Sequence, residues 1–422
     1  MMIDQRKKLS GDTVAVKTKI MVVLGIMALV GSINVQSTWA EDFLDIFRAG
    51  QQAEDSGSLD QAINLYSDAI KLAPQSARVW AKRAEAYLKK GEPRSAIKDL
   101  IHATKLDPAY APAFARLGFA YNAIKEYSKA VEALDVAIKL EPTSSEALNT
   151  RGFAFNGLND YSHAIKDFDQ AITLKPNDAR YYNNRGFALN GEGEYDRAIQ
   201  DFDKAIKLDP SNAMVFNNRG VAYMRQKKFD QALNDFDKAI EINSSFSSAY
   251  HNRGMAFSGK GRHDKAVEEF SKVIEMNPNS PVLYKDRGIA YAKLGEYRLA
   301  KKDLEKSIEL DKRFAPGYAE LGLLMATAND PSVKNPALAR KYAEKAVSMG
   351  DPTTPELTRD LAEVHKALKE DAAAILTLKK AISMDPTNKE FADLLRKWED
   401  ESPVRISNPI QLTRPKSFSN LW

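Results

Sequence analysis

Between residues 179 and 212 the chain alternates two kinds of segment. Small and apolar residues recur at helical spacing from about Ala179 to Asn190, where Gly191-Glu192-Gly193 interrupts them. The pattern resumes from Tyr195 to Leu208, with Ala198, Ile199, Phe202, Ala205 and Ile206 on one stripe, and Asp209-Pro210 ends it. Proline lacks the amide hydrogen that a helix interior needs, and glycine relaxes a tight turn. The spacing therefore predicts two helices joined by a short turn. Gly186 and Ala198 are expected where the two cross most closely, with Phe202 filling the space beyond.

This unit is one of a series. Pro74, Pro108, Pro142, Pro176, Pro210 and Pro278 lie on a 34-residue grid, with Ser244 and Lys312 at the intervening points. Alanines keep the same interval at 62, 96, 130, 164, 198, 232, 266 and 300, and glycines keep it from Gly118 to Gly288. Coincident grids of this kind mark a tandem repeat, and one such unit cannot bury its own apolar face, so the units must stack and be capped.

The pattern resembles the tetratricopeptide repeat family. Unit 111–144 carries it through Phe114, Leu117, Gly118, Tyr121, Ala130, Leu134, Ala137 and Pro142. The resemblance covers roughly residues 43–388. It implies an all-α, right-handed superhelical solenoid of about ten helix-turn-helix repeats. Repeat nine departs from it, because Asn329–Pro336 lengthens its turn, and repeat ten has His365 at an aromatic position. Residues 389–401 read as a capping helix with Phe391, Leu394, Leu395 and Trp398 on one stripe. Residues 402–422 hold three prolines, three basic residues and no acid, and are expected to be disordered. Phe418, Leu421 and Trp422 leave open that they act instead as a docking peptide.

In the family, the first helix of each repeat lines a concave groove that holds peptides or extended segments. The resemblance thus implies that the fifth and sixth residues of each repeat face the groove. These are Asn149, Asn183, Asn217, His251 and Lys285 at the fifth place, and Lys82, Arg116, Thr150, Asn184, Asn218, Asn252 and Asp286 at the sixth. Asparagine both donates and accepts, so a ladder of it suits pairing with a partner backbone whatever the partner's side chains. The bland alternative is that these amides are solvated or bond to neighbouring repeats. Arg78, Lys82, Lys89 and Arg116 make one end basic, which suits acidic partner segments or simply a solvated charged face. The ninth place is mostly apolar, as in Phe153, Phe187, Val221, Met255 and Ile289. That argues against the carboxylate clamp of one family subclass, which needs asparagine there, and suits an apolar floor to the groove instead.

A second ladder has a packing explanation. Arg151, Arg185, Arg219, Arg253 and Arg287 keep step with Asp167, Asp201, Asp235, Glu269 and Asp303. Each arginine is expected to fork onto the acid of its own repeat, since its planar guanidinium matches a carboxylate at two points. Gly254-Met-Ala-Phe-Ser-Gly259-Lys260 has the outline of a phosphate-binding loop, but Gly261 stands where a magnesium-binding hydroxyl belongs and no strand is expected before it. The five histidines show no metal-ligand spacing, and no serine sits in a nucleophile elbow. No catalytic residue, metal or cofactor is therefore expected, and the chain reads as a non-enzyme.

Charge and cysteine usage narrow the rest. The net charge is +4, and residues 1–40 supply +3 of it, so the array is nearly neutral and has no global reason to bind nucleic acid. Cysteine is absent, which removes disulfides and thiolate chemistry. Lys17 and Lys19, an apolar run from Ile20 to Val30 and the small residues before Ala40 form an export-signal pattern, expected to be cleaved after Ala40 or kept as an anchor. Export to a bacterial periplasm or cell envelope follows, with membrane contact only through that segment. The expected function is a protein-binding adaptor that grips an extended partner segment in its groove. Alternatives are a substrate-holding or regulatory subunit of an envelope enzyme complex, and a self-associating structural protein.

Overall fold

The computed structural model describes residues 33–350 and 354–401, and among them every regular element is an α-helix. They form an all-α repeat fold that divides into two compact units between Leu208 and Asp209. Within each unit successive helices pack as antiparallel neighbours, and the first helix of a repeat also packs beside the first helix of the next. Repeat five shows the plan, with helices Ala179–Gly191 and Tyr195–Leu208.

The grids explain the packing. The alanines at 62, 96, 130, 164, 198, 232, 266 and 300 are completely buried. A Cβ placed on Gly186 would lie 2.7 Å from the Phe202 ring, and one on Gly152 the same distance from Phe168. The second-helix aromatics Phe168, Phe202 and Phe236 are themselves fully buried. Small residues at the crossing thus let the paired helices close onto one large side chain per repeat, as the sequence implied. In every described repeat but the ninth, the turn between the two helices holds one left-handed residue. Gly193 holds it at φ 83°, and in other repeats Lys125, Asn159 and Lys227 take the place at φ 62°, 59° and 60°. Glycine adopts that conformation without steric cost. Between repeats the residue before the grid proline is extended, as proline demands of its predecessor. Asp107, before Pro108, has φ −137° and ψ 93°.

Repeat nine absorbs its insertion. The Asn335 amide donates to the Met325 carbonyl at 3.0 Å, and the Asn335 side chain caps the helix Pro336–Met349. Ala328 at the start of the loop and Val333 within it are buried in the core cluster with Leu321, Leu324 and Ala339. A Cβ on Gly322 would sit 2.9 Å from the Ala339 carbonyl oxygen, so the same close crossing is kept. The helix Lys389–Glu401 lays Phe391 and Trp398 on Ala362, Ala374, Ile375 and Leu378 of repeat ten. At the other end the first helix, Ile33–Asp55, starts ten residues before the expected edge of the array. The expected cleavage position after Ala40 lies inside this helix. Residues 1–32 and 402–422, on which the export signal and the docking-peptide expectations rest, lie outside the described residues. No described helix is long and apolar enough to cross a membrane.

Candidate interaction face

The asparagine ladder bonds to itself across repeats. Asn184 Nδ2 donates to Asn149 Oδ1 at 2.9 Å, and Asn252 Nδ2 donates to Asn217 Oδ1 at 2.9 Å. The sixth residue of one repeat thus meets the fifth residue of the repeat before it. His251 Nε2 and Asp286 Oδ2, 2.7 Å apart, keep the same register. Asn149 and Asn217 are only 8% and 7% exposed. This corrects the expectation that they line the groove with free amides: each carbonyl is occupied by the next repeat. Asn183, which donates to Asn184 Oδ1 at 3.2 Å, and Asn184, Asn218, His251 and Asn252 remain half-buried.

A further asparagine row, not singled out from sequence, pins the backbone behind this ladder. Asn122 Nδ2 donates to the Thr150 carbonyl at 2.9 Å, and Asn156 Nδ2 to the Asn184 carbonyl at 3.4 Å. The 34-residue interval between them was the available signal.

The basic end is largely neutralised. Lys82 Nζ and Arg116 Nη2 both donate to Glu85 Oε2 at 2.9 Å. Burial alone would push the Glu85 carboxyl up; the hydrogen bond from Lys82 and the charges of Arg116, Lys82 and Lys89 outweigh it and hold it below the usual range. Lys89 reaches the buried Glu54 at 2.6 Å. Of the four cations, only Arg78 lies against an aromatic ring, Phe47, in place of an acid.

With these amides and charges engaged, the ninth place is the apolar register that the first helices of the first unit leave open, while Met214 and Val282 are exposed at other places in the second unit. Phe119, Phe153 and Phe187 occupy it in three consecutive repeats and are 55%, 48% and 49% exposed. Each lies one helical turn from the fifth and sixth residues, on the same helix face. Phe119 belongs to the grid of Phe153 and Phe187, so its place was legible in the sequence although it was not singled out there. In the second unit Met255 is exposed at the equivalent place, and Val221 and Ile289 are half-buried.

The arginine ladder is structural, and it does more than pair within a repeat. Arg185 Nε and Nη2 fork onto Asp201 at 2.7 and 2.6 Å, while Nη1 reaches back to Asp169 in the preceding repeat at 2.5 Å. Arg151 bridges Asp167 and Asp135 in the same way, and Arg253 bridges Glu269 and Asp237. Arg219 forks onto Asp235 and Arg287 onto Asp303. Arg83, outside the ladder read from sequence, does the same with Asp99 and reaches back to Ser67. In repeat three both members are apolar: Leu117 and Ala133 are buried where arginine and acid would be.

The phosphate-loop outline dissolves into the same repeat. A Cβ on Gly254 would meet the Phe270 ring at 2.7 Å, and one on Gly259 the Phe229 ring at 2.5 Å. Lys260 pairs with Asp230, and Gly261 is the left-handed turn residue at φ 76°.

Repeats eight to ten carry a different face. Lys285 pairs with Asp286, and Arg359 with Asp360 and Glu363. Burial, followed by the charge of Asp360, pushes the Glu320 carboxyl up to about 7. Burial also pushes Asp360 up to about 6.

Stacked two-helix units that spend their polar ladders on one another and leave a row of aromatics uncovered define a helical-repeat interaction scaffold. The chain belongs to the tetratricopeptide repeat family. Models described as tetratricopeptide repeat match residues 77–110, 213–246, 247–280, 284–314 and 360–388, and one described as TPR repeat matches 54–91, 154–191 and 188–227; together they cover more than half of the chain. Among solved structures, a tetratricopeptide repeat protein from Parabacteroides merdae is 18% identical with a TM-score of 0.50, over 59% of this chain and 99% of its own. YrrB, described as a TPR protein with an unusual peptide-binding site, is 25% identical with a TM-score of 0.37, over 44% of this chain and 96% of its own. The protein MamA is 30% identical with a TM-score of 0.36, over 38% of this chain and 94% of its own.

Proposed function

We propose that this chain is a non-enzymatic adaptor that holds an extended partner segment along the faces of its first helices. The observation that carries this reading is the row Phe119, Phe153 and Phe187, half-exposed at one register in three successive repeats. Single exposed apolar side chains are ordinary, but a row repeated at one register of neighbouring helices is of the kind that marks an interaction surface. Asn184 and Thr150 beside the row are uncharged, so the face selects apolar side chains and tolerates varied sequence around them. The segment 1–40 would carry the adaptor out of the cytoplasm to a periplasm or envelope, where a reporter fused after residue 60 would be active.

Photo-crosslinking in cells from position 153 or 184, followed by mass spectrometry, tests the face. Capture of a partner from these positions is expected, and it should vanish when Phe119, Phe153 and Phe187 are all replaced by serine. Those residues are exposed, so the helical content should stay unchanged. Capture only from the second helices would remove the reading.

A further inference from the structure

The seam between first helices changes character along the second unit. Its rungs pair the fifth residue of one repeat with the sixth of the next. Asn217 meets Asn252 at 2.9 Å, and His251 meets Asp286 at 2.7 Å. The same register sets Lys285 against Glu320 and Ala319 against Asp360. Neither of these rungs closes. Lys285 Nζ turns to Asp286 on its own helix, at 2.7 Å, and the methyl of Ala319 has no donor to offer. Glu320 is left without a hydrogen bond or ion pair among the described residues. Asp360 pairs with Arg359, its neighbour in the chain, at 2.9 Å.

Repeats six and seven have no carboxylate at the fifth, sixth and ninth places. In repeats eight to ten the same places hold Lys285 and Arg359 against Asp286, Glu320, Asp360 and Glu363. Both cations are already engaged, Lys285 with Asp286, and Arg359 with Asp360 and Glu363. Acid is therefore in excess on a face that burial partly dries. Burial first, then the charge of Asp360, raises the Glu320 carboxyl, with Lys285 and Arg359 opposing and Glu363 adding to it. Burial also raises Asp360, against Arg359 and Lys285, with Glu363 and Glu356 adding to it. An apolar row leads to this point. Val221, Met255, Ile289 and Leu323 hold the ninth place in repeats six to nine, Met255 exposed and the others half-buried, and Glu363 holds it in repeat ten. Each lies about one helical turn from the seam residues of its own repeat.

We propose that the first helices of repeats eight to ten receive an arginine of a partner segment between Glu320 and Asp360, while its apolar neighbours lie along Ile289 and Leu323. This rests on the reading of first-helix faces as binding faces, and it adds a charge requirement that the aromatic row of the first unit does not have. Guanidinium is the cation that fits, because its planar fork carries five donors and serves two carboxylates at once, as Arg185 does with Asp201 and Asp169. It is also less strongly hydrated than an ammonium, so a half-buried place suits it better. Its arrival favours the ionised form of both acids and so releases protons. The same excess of acid turns away acidic segments.

The test pans a phage-displayed library of random peptides on the full chain carrying Phe119→Ser, Phe153→Ser and Phe187→Ser, which takes the aromatic row out of competition. Enriched peptides should carry arginine beside apolar residues. A synthesised winner should bind about tenfold more weakly when its arginine becomes citrulline, the uncharged isostere, equivalent to about 1.4 kcal/mol. Glu320→Gln combined with Asp360→Asn in the protein should weaken the arginine peptide by the same factor and leave the citrulline peptide unaffected. Both substitutions keep the side-chain shape, and circular dichroism should show the fold unchanged. Calorimetric titration in two buffers of different ionisation enthalpy should report release of about one proton per peptide at pH 6.5 and almost none at pH 8.5. Winners without arginine, equal binding of the citrulline peptide, or indifference to the two substitutions would overturn the proposal. Peptides enriched on the parent chain but not on the triple-serine chain remove this proposal and leave the binding-face reading standing. No enrichment on either chain removes both.

Discussion

Repeat three already contains the experiment that tests the arginine ladder. Where repeat five has Asp169, Arg185 and Asp201, repeat three has Ile101, Leu117 and Ala133 at the corresponding positions, sixteen residues apart in each case. Asp201 is 6% exposed, and Arg185 supplies both of its close contacts, at 2.7 and 2.6 Å. Arg185→Ala therefore strands a buried carboxylate, and the expected loss is about 3–5 kcal/mol. Combining Arg185→Leu with Asp201→Ala rebuilds the apolar arrangement of repeat three. Removing both charges leaves no orphan, so this double change should lie within about 1 kcal/mol of the parent. Asp169 is about half exposed, and water replaces its arginine cheaply. Urea unfolding followed by circular dichroism gives the overall loss. Hydrogen exchange should place it in repeats four and five, since stacked repeats open locally as well as globally. The reasoning fails if the double variant loses as much as the two single changes added together. It fails equally if Arg185→Ala costs no more than the 1 kcal/mol or so of an exposed pair.

Three further outcomes follow from the packing and the charge pattern. Gly186→Ala places a methyl 2.7 Å from the buried Phe202 ring and should cost about 1–3 kcal/mol in a denaturant titration; an unchanged midpoint would mean that the helices cross less tightly than described. The Glu320 carboxyl, pushed up to about 7 from an ordinary 4.5, stays protonated in the folded chain at pH values where the unfolded chain has released its proton. Its contribution is thus fully present below about pH 4.5 and lost as pH rises through about 7. Glu320→Gln should raise stability at pH 8 by up to about 3 kcal/mol and leave it unchanged at pH 4, as read from thermal unfolding at both. Trp398→Ala removes the largest side chain of the cap and should cost about 3–5 kcal/mol, with hydrogen exchange rising first in repeat ten; a uniform rise along the chain would contradict a capping role.

The repeat register was legible because several residue types kept one interval, and each had a packing reason to be small or large. The arginine–acid pairing was legible for the same cause: both ladders ran in step with a constant offset inside one repeat. The amide ladder was harder. Asn184 and Asn149 lie 35 residues apart, so their bond depends on how one repeat rotates onto the next, and a period alone does not show which side chains meet across that interface. Thr150, which donates to the Glu146 carbonyl at 2.7 Å, looks from sequence like a gap in the ladder but is a buried part of the same seam. The exposure of Phe119, Phe153 and Phe187 followed from the resemblance only as a polar groove with an apolar floor. Once the neighbouring amides and charges turned toward one another, the floor became the face. The missing arginine in repeat three was visible in the sequence as an isolated departure. Its meaning appeared only when Ala133 was found opposite Leu117.

That departure gives the joints of the first unit unlike responses to their solvent. Between repeats three and four, and between repeats four and five, an arginine clasps carboxylates on both sides, and added salt weakens such a clasp where it is exposed. Between repeats two and three the corresponding clasp is hydrocarbon, with Ile101 and Leu117 in one apolar cluster that weakens in the cold, and the salt-sensitive contact at that joint is the Arg116–Glu85 pair instead. Ionic strength and temperature therefore select which joint loosens first, and the stack can fray at one seam while its neighbour holds.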